Sequence, residues 1–311
     1  MVYEYAIDPT CLSDWHRLRF IADNVGVPKG RLVSEYPGSW RKTIMQVLSG
    51  RLPVERSRLE VQYQRITPHL ISPHRPFDPQ RDWLSNAEEV YTSKPFRAIV
   101  SSENPRTLPF VLSIDGLDDT TELWKTSQNC PIRRKAKDMA ATVCFLLQLA
   151  RDVLLIDRHF DPGAVRFRRP FEQFAACCAK TRNPAPPRIR LLTEATYLAA
   201  AGDPYEHNCR HYLAPLIPNT LSCELVRIRE KTSPAEIIHN RFVLTDRGGV
   251  KFGIGLDDDN GQEGQTDDVD LLSQESFDLR WRQYALMQAF DVVTVATIAG
   301  TKPVPAVGIV A

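Results

Sequence analysis

Hydrophobic positions keep two different rhythms along this chain. Over residues 1–125 the apolar runs are short and broken by proline; from Ile132 onward helix-like and strand-like segments alternate. In the first region, apolar residues at Trp15, Leu18, Ile21 and Ala22 fall on one helical face, so the spacing predicts a helix over Asp14 to Asn24 with Ser13 as its N-cap. A second helix is expected from Ser39 to Leu48, stopped by Gly50. The stretch between Pro68 and Pro79 reads as an irregular connection, and FRAIVSS and LPFVLSIDG as strands. Together these predict an α+β N-terminal domain.

The second region is more regular. IRRKAKDMAATVCFLLQLARD is amphipathic at helical spacing, and VLLID behind it is a continuous apolar run suited to a buried strand. RHFDPGAVRFRRP follows as a loop, then a helix in FEQFAACCAK, a strand in RIRLLTEA, a helical stretch around His211–Leu216 and a strand in CELVRIRE. IIHNRFVLTD and VKFGIGL read as a hairpin turning at Arg247–Gly249, and SFDLRWRQYALMQAF as a closing helix. Helices alternating with strands, with one hairpin, predict an α/β sandwich over residues 126–311. There is no internal repeat.

Composition narrows the class without naming a partner. The chain is 43% hydrophobic and 25% charged with a net charge of +1, so it is globular and carries no global attraction to nucleic acid or membrane. The charge is unevenly placed: residues 133–190 hold thirteen Lys/Arg against five Asp/Glu, and residues 250–280 two against nine. That predicts a basic surface near an acidic one. Seven cysteines without a CxxC pair predict free thiols in a reducing compartment. The N-terminus lacks the pattern of a signal peptide, and the most apolar stretch, Ala140 to Ile156, is interrupted by Gln148, Arg151 and Asp152. The expectation is a cytoplasmic protein with no membrane span.

Candidate chemistry concentrates in residues 239–255, HNRFVLTDRGGVKFGIG. On a strand His239 and Arg241 share a face, and an imidazole beside a guanidinium suits a phosphate. Asp246, at the hairpin turn, is placed to orient an imidazole or to cap the turn backbone. Gly253 and Gly255 leave room for a backbone to approach an anion. This pattern resembles the phospholipase D superfamily, whose members carry His-x-Lys, four residues, Asp, six residues, and Gly-Ser or Gly-Gly. The resemblance covers about residues 132–300 and implies a phospholipase-D-like α/β sandwich. It also implies metal-independent, cofactor-free phosphodiester chemistry with His239 as nucleophile, Arg241 binding phosphate and Asp246 in support.

Three departures bear on that chemistry. Arginine stands where the family has lysine, Ile254 and Leu256 replace hydroxyl and amide donors, and only one motif is present. Single-motif members supply the second histidine by homodimerising. The His-x-Arg version is also similar to the C-terminal domain of microtubule-interacting-and-trafficking proteins, a module that binds membranes or partners. Bacterial proteins with such degenerate motifs resemble components of mobile-element and antiphage defence systems. The sequence therefore sets a phosphodiester-recognising module for nucleic acid or a protein partner against a nuclease-type phosphodiesterase.

Secondary candidates lie nearby. IDRHFDP follows a predicted central strand, so Asp157, His159 and Asp161 fall where α/β proteins place their sites, and His159 is a candidate acid. Arg166, Arg168 and Arg169 form a candidate phosphate patch. DDDNGQEGQTDDVD lacks the EF-hand ligand spacing and reads as a flexible acidic loop. In GRLVSEYPGSWRK, Tyr36 and Trp40 among basic residues suit either base stacking or packing in a core.

Overall fold

A computed structural model describes residues 1–72, 75–195, 205–233 and 236–304. The chain divides into two compact units, Met1–Gln128 and Asn129–Ala311. Both are mixed α/β structures, each built on one sheet.

In the first unit, strands β1 (Tyr3–Ile7), β2 (Arg31–Ser34), β3 (Leu70–Ile71), β4 (Ala98–Ser101) and β5 (Val111–Ser113) form a sheet of order β3-β2-β1-β4-β5. Every pairing in it is parallel. The expected α+β arrangement is corrected to a doubly wound parallel sheet. Strands of two to five residues carry too little periodicity to announce themselves, and the crossovers include a helix the sequence reading lacked, α3 (Pro53–Ile66). Alternation along β1 sends Tyr5 and Ile7 into a core with α1 (Trp15–Asn24), α2 (Trp40–Ser49) and α3, while Ala6 joins a second core against α4 (Trp83–Ser93). Tyr36 and Trp40 are fully buried, and Trp40 Nε1 donates to Ile7 O at 2.7 Å. Of the two readings of that segment, the core reading applies. The N-cap of α1 is Asp14 instead of Ser13, its carboxylate accepting from His16 N and Arg17 N.

The second unit holds eight strands: β6 (Asn129–Arg133), β7 (Asp152–Ile156), β8 (Arg188–Glu194), β9 (Ser222–Glu230), β10 (Arg241–Thr245), β11 (Gly248–Phe252), β12 (Thr266–Leu271) and β13 (Phe290–Ala299). Their order is β13-β9-β8-β7-β10-β11-β12-β6; β7, β8 and β9 run parallel and the other pairings are antiparallel. Leu154, Ile156, Phe242 and Leu244 pack on one face with Phe277, Trp281 and Tyr284, which come from α8 (Gln274–Arg280) and the π-turn after it. α5 (Ala136–Leu149) and α6 (Val165–Ala179) pack on each other, and α6 lies against the sheet through Phe174 on Phe252. The helical stretch expected around residues 211–216 is present as the end of α7 (Tyr205–Leu213) and the 3-10 turn Ala214–Leu216.

Several expectations change here. α6 begins at Val165, so Arg166, Arg168 and Arg169 stand on a helix and not in a loop. Cys144 on α5 and Cys177 on α6 form a disulfide, with Cα atoms 5.2 Å apart, in place of the free thiols expected of them. Helix packing brings together two residues that sequence spacing keeps apart. Cys11, Cys130, Cys178, Cys209 and Cys223 remain thiols. The acidic stretch is not a flexible loop throughout: Thr266–Leu271 is strand β12, and Asp258 and Asp259 are buried. Among the described residues no helix is long and apolar enough to cross a membrane.

Candidate functional site

The carboxyl ends of β7 and β8 meet the first residue of β10 at one edge of the sheet, because β10 runs antiparallel to β7 with Phe242 opposite Ile156. Such an edge is where open α/β sheets place their ligands. At its centre is Asp157, only 1% exposed. Its Oδ1 accepts from His159 N at 2.9 Å, and its Oδ2 accepts from Leu256 N at 2.8 Å. One carboxylate thus ties the turn after β7 to the segment after β11. Burial raises the Asp157 pKa; the two N–H donors and the Arg241 charge act in the opposite direction.

Arg241 opens β10 and is 17% exposed. Its Nη1 donates to His239 O at 2.9 Å, and its Nε lies 4.0 Å from Asp157 Oδ1, an ion-pair distance without a hydrogen bond. That Nε is buried with no hydrogen-bond acceptor among the described residues. His159 sits beside the pair. Burial lowers its pKa, as do the Arg241 and Arg158 charges, while Asp157 and Glu194 pull it up. The net direction favours the neutral imidazole. Arg158 and Glu194, absent from the sequence reading, form a 2.6 Å ion pair at the same edge, and Thr193 Oγ1 donates to Arg158 O. The polar end of RIRLLTEA was the available signal for Glu194.

His239 is exposed and stands just before β10. The strand approach is held by two carboxylates: Glu230 Oε1 accepts from Ile238 N at 2.9 Å, and Glu236 accepts from Gln283 Nε2 at 2.8 Å. His239, Arg241 and His159 are therefore brought to one edge. Asp246 is not. It lies at the opposite end of β10, about 17 Å along the strand at the usual rise, and accepts from Arg151 N and Asp152 N at 2.8 and 3.3 Å. It holds the backbone that enters β7, while Thr245 Oγ1 closes the hairpin turn, so both the imidazole-orienting and the turn-capping roles are corrected. Asp161 closes its own turn through Gly163 N.

The remaining candidates are occupied by the protein itself. A Cβ on Gly253 would come within 2.7 Å of Asp267 Oδ1, and one on Gly255 would collide with Asp257 Oδ1 and stand 3.4 Å from Asp157 Oδ2. These glycines make room for carboxylates, and an anion placed there would meet like charge. Arg166 and Arg169 pair with Asp257 and Asp258 at 3.5 and 3.3 Å, Arg134 and Lys135 with Asp257 and Asp259 at 2.6 and 2.7 Å, and Arg168 lies over the Tyr212 ring. The basic and acidic stretches foreseen as separate surfaces neutralise one another. Pro170 contributes: lacking an N–H, it leaves Arg166 O without its helical donor, and Asp258 N bonds that carbonyl at 2.9 Å.

Among the described residues no group of three or more His, Cys, Asp or Glu is arranged to hold a metal ion. No family model matches this chain, and no curated protein does. Among solved structures it is matched with TrmBL2, an archaeal chromatin protein whose structure is described as showing a novel mode of DNA binding. That match has 10% identity, spans 83% of this chain and 72% of the other, and has a TM-score of 0.29, a likeness too slight to carry an argument.

Proposed function

We propose that the second unit is a phospholipase-D-like module that recognises a phosphodiester, in nucleic acid, at the edge formed by His239, Arg241 and His159. The observation that carries this reading is the state of Arg241. Its guanidinium is held at the edge by one bond to His239 O and a long ion pair to Asp157, the side chain is still 17% exposed, and its buried Nε has no acceptor among the described residues. A phosphate oxygen is the acceptor such a fork suits. His159, whose pKa burial lowers, stands at the same edge.

Fluorescence polarisation with a labelled single-stranded oligonucleotide tests it, with salt held constant. Arg241→Ala is expected to weaken binding at least about tenfold, equivalent to about 1.4 kcal/mol. Arg166→Ala, whose side chain is already paired with Asp257, is expected to change it little. Equal affinity of Arg241→Ala and the wild type would sink the reading.

Turnover is the second reading, favoured by the exposure of His239. In it, an imidazole nitrogen of His239 bonds to phosphorus as the bond from phosphorus to the leaving oxygen breaks, and the departing alkoxide takes a proton from an acid. The lowered His159 pKa leaves less of the protonated imidazole that this step would need at neutral pH, which ranks turnover behind binding. Cleavage of the oligonucleotide in EDTA that disappears in His239→Ala would reverse the ranking.

A further inference from the structure

One covalent link spans the segment that carries the candidate edge. The disulfide joins Cys144 on α5 to Cys177 on α6, 33 positions apart in the chain. The loop it closes contains β7, the turn holding Asp157 and His159, and the start of α6 with Arg166 and Arg169. A cross-link of that span acts chiefly by limiting how far the enclosed chain can spread when it leaves the fold.

Weaker bonds hold the same two helix ends together without it. Arg182 N donates to Gln148 O at 2.8 Å, and Asn183 Nδ2 donates to Leu149 O and Ala150 O at 3.0 and 2.8 Å. The Arg182 guanidinium lies over the Phe145 ring, 4.9 Å from its centroid. Gln148 Nε2 reaches Cys144 Sγ itself at 3.5 Å. Two thiols kept side by side by such contacts lose little chain entropy on joining, so the bond can open and close again in the folded protein.

Four of the other five cysteines compete poorly for this exchange. Cys11, Cys178, Cys209 and Cys223 are buried. Burial pushes the thiol of Cys178, the chain neighbour of Cys177, up to about 12. A thiol held protonated is a poor nucleophile, so exchange does not pass from Cys177 to Cys178. Cys144 is partly exposed, which admits a small dithiol to one of the two linked sulfurs.

We propose that Cys144–Cys177 is a reversible redox link that sets how often the edge carrying Asp157 and His159 opens. On reduction, a thiolate of a dithiol attacks Cys144 Sγ and expels Cys177 as a thiolate. The second sulfur of the dithiol then attacks the mixed disulfide and expels Cys144. The reductant leaves as a disulfide, and its two protons pass to the two cysteines. A small disulfide oxidant runs the same steps backward. With the bond closed, β7 and the turn after it gain little freedom on leaving the sheet; with it open, the native contacts persist but opening is easier. The link acts on this edge whether or not the edge binds phosphate.

The test uses the full chain. After treatment with oxidised glutathione, Cys144 and Cys177 are expected to resist alkylation, and dithiothreitol should release both without denaturant. Amide exchange at His159 N and Leu256 N, both bonded to Asp157, should then run at least about tenfold faster. Oxidised glutathione should restore the slow rate. Cys144→Ser is expected to exchange at the reduced rate with or without dithiothreitol. Should that variant fail to fold, the wild type carried through one cycle of reduction and reoxidation decides the matter alone. Alkylation of both cysteines after oxidised glutathione, a bond that dithiothreitol opens only in urea, or equal exchange rates in the two states would overturn the proposal.

Discussion

Both units end parallel strands at an edge, yet the two edges differ in what their polar groups have left to offer. In the first unit the winding reverses between β1 and β4, the switch point at which such sheets bind ligands. There Asp8 accepts from Thr10 N and Thr10 Oγ1 at 2.9 and 2.7 Å, Ser101 Oγ donates to Glu103 O, and Trp40 closes on Ile7 O. These groups are satisfied within a few residues or by the core, and the buried Ser34 Oγ at the end of β2 is without a hydrogen-bond partner among the described residues. In the second unit Asp157 and Arg241 are held from distant parts of the chain, and Arg241 keeps an unused donor. Both edges hold a buried polar atom with unused capacity; what sets the second apart is that the atom belongs to a charged guanidinium paired with a buried carboxylate.

The sharpest way to break that contrast is to remove its centre. Asp157→Ala leaves Leu256 N and His159 N without their acceptor and Arg241 without its counter-charge, and is expected to cost about 3–5 kcal/mol. Urea unfolding of the second unit, followed by amide exchange at Leu256, measures it; a loss below that of an ordinary surface change would show that the edge does not depend on Asp157. Next in size, Gly255→Ala forces a Cβ onto Asp257 Oδ1, a carboxylate that Arg134 holds. About 1–3 kcal/mol is expected in the same experiment. In the first unit Asp8→Ala removes only a local cap, expected at about 1 kcal/mol, and oligonucleotide affinity should stay unchanged.

The smallest expected effect is on pH dependence, and its sign separates two groups at one edge. The folded His159 pKa lies below its usual 6.5, so the folded state takes up its proton less readily than the unfolded chain. Stability from this group is complete above about 6.5 and falls as pH drops through the lower folded pKa. Asp157 is shifted the other way: its burial contributes stability below the usual 3.8, lost as pH rises through its raised folded pKa. His159→Gln should therefore flatten the stability profile just below pH 6.5. An unchanged slope would mean that His159 titrates there as it does in the unfolded chain.

Much of the framework was legible because it is local. The amphipathic spacing of Trp15, Leu18 and Ile21, the apolar runs of β7 and β8, and the β10–β11 hairpin all carry their period within a few residues. That His239 and Arg241 lie close together follows from their separation by one residue, but the strand alternation expected of them does not hold, because His239 stands before β10 where His239 N bonds Ile237 O. The glycines and arginines were legible as residue types but not as partners. Gly253 and Gly255 face Asp267 and Asp257, and the arginines at the start of α6 face the acidic segment about ninety residues on. Acidic and basic stretches look equally solvated until folding sets them in contact.

The sequence by itself determined which residues have the chemistry for a phosphate: an imidazole and a guanidinium two residues apart at the start of a strand, with a second imidazole after another. Tertiary structure alone decided which of them remain available. Pairing of β10 with β7 put Asp157 under Arg241, whereas the rise of β10 alone carries Asp246 to its far end. Helix packing brought Cys144 to Cys177, and the acidic segment took up the arginines of α6. The physical reason is one of range. Side-chain periodicity is set by the backbone within a turn or a pleat, whereas the satisfaction of a charge depends on what folding brings to it from elsewhere in the chain.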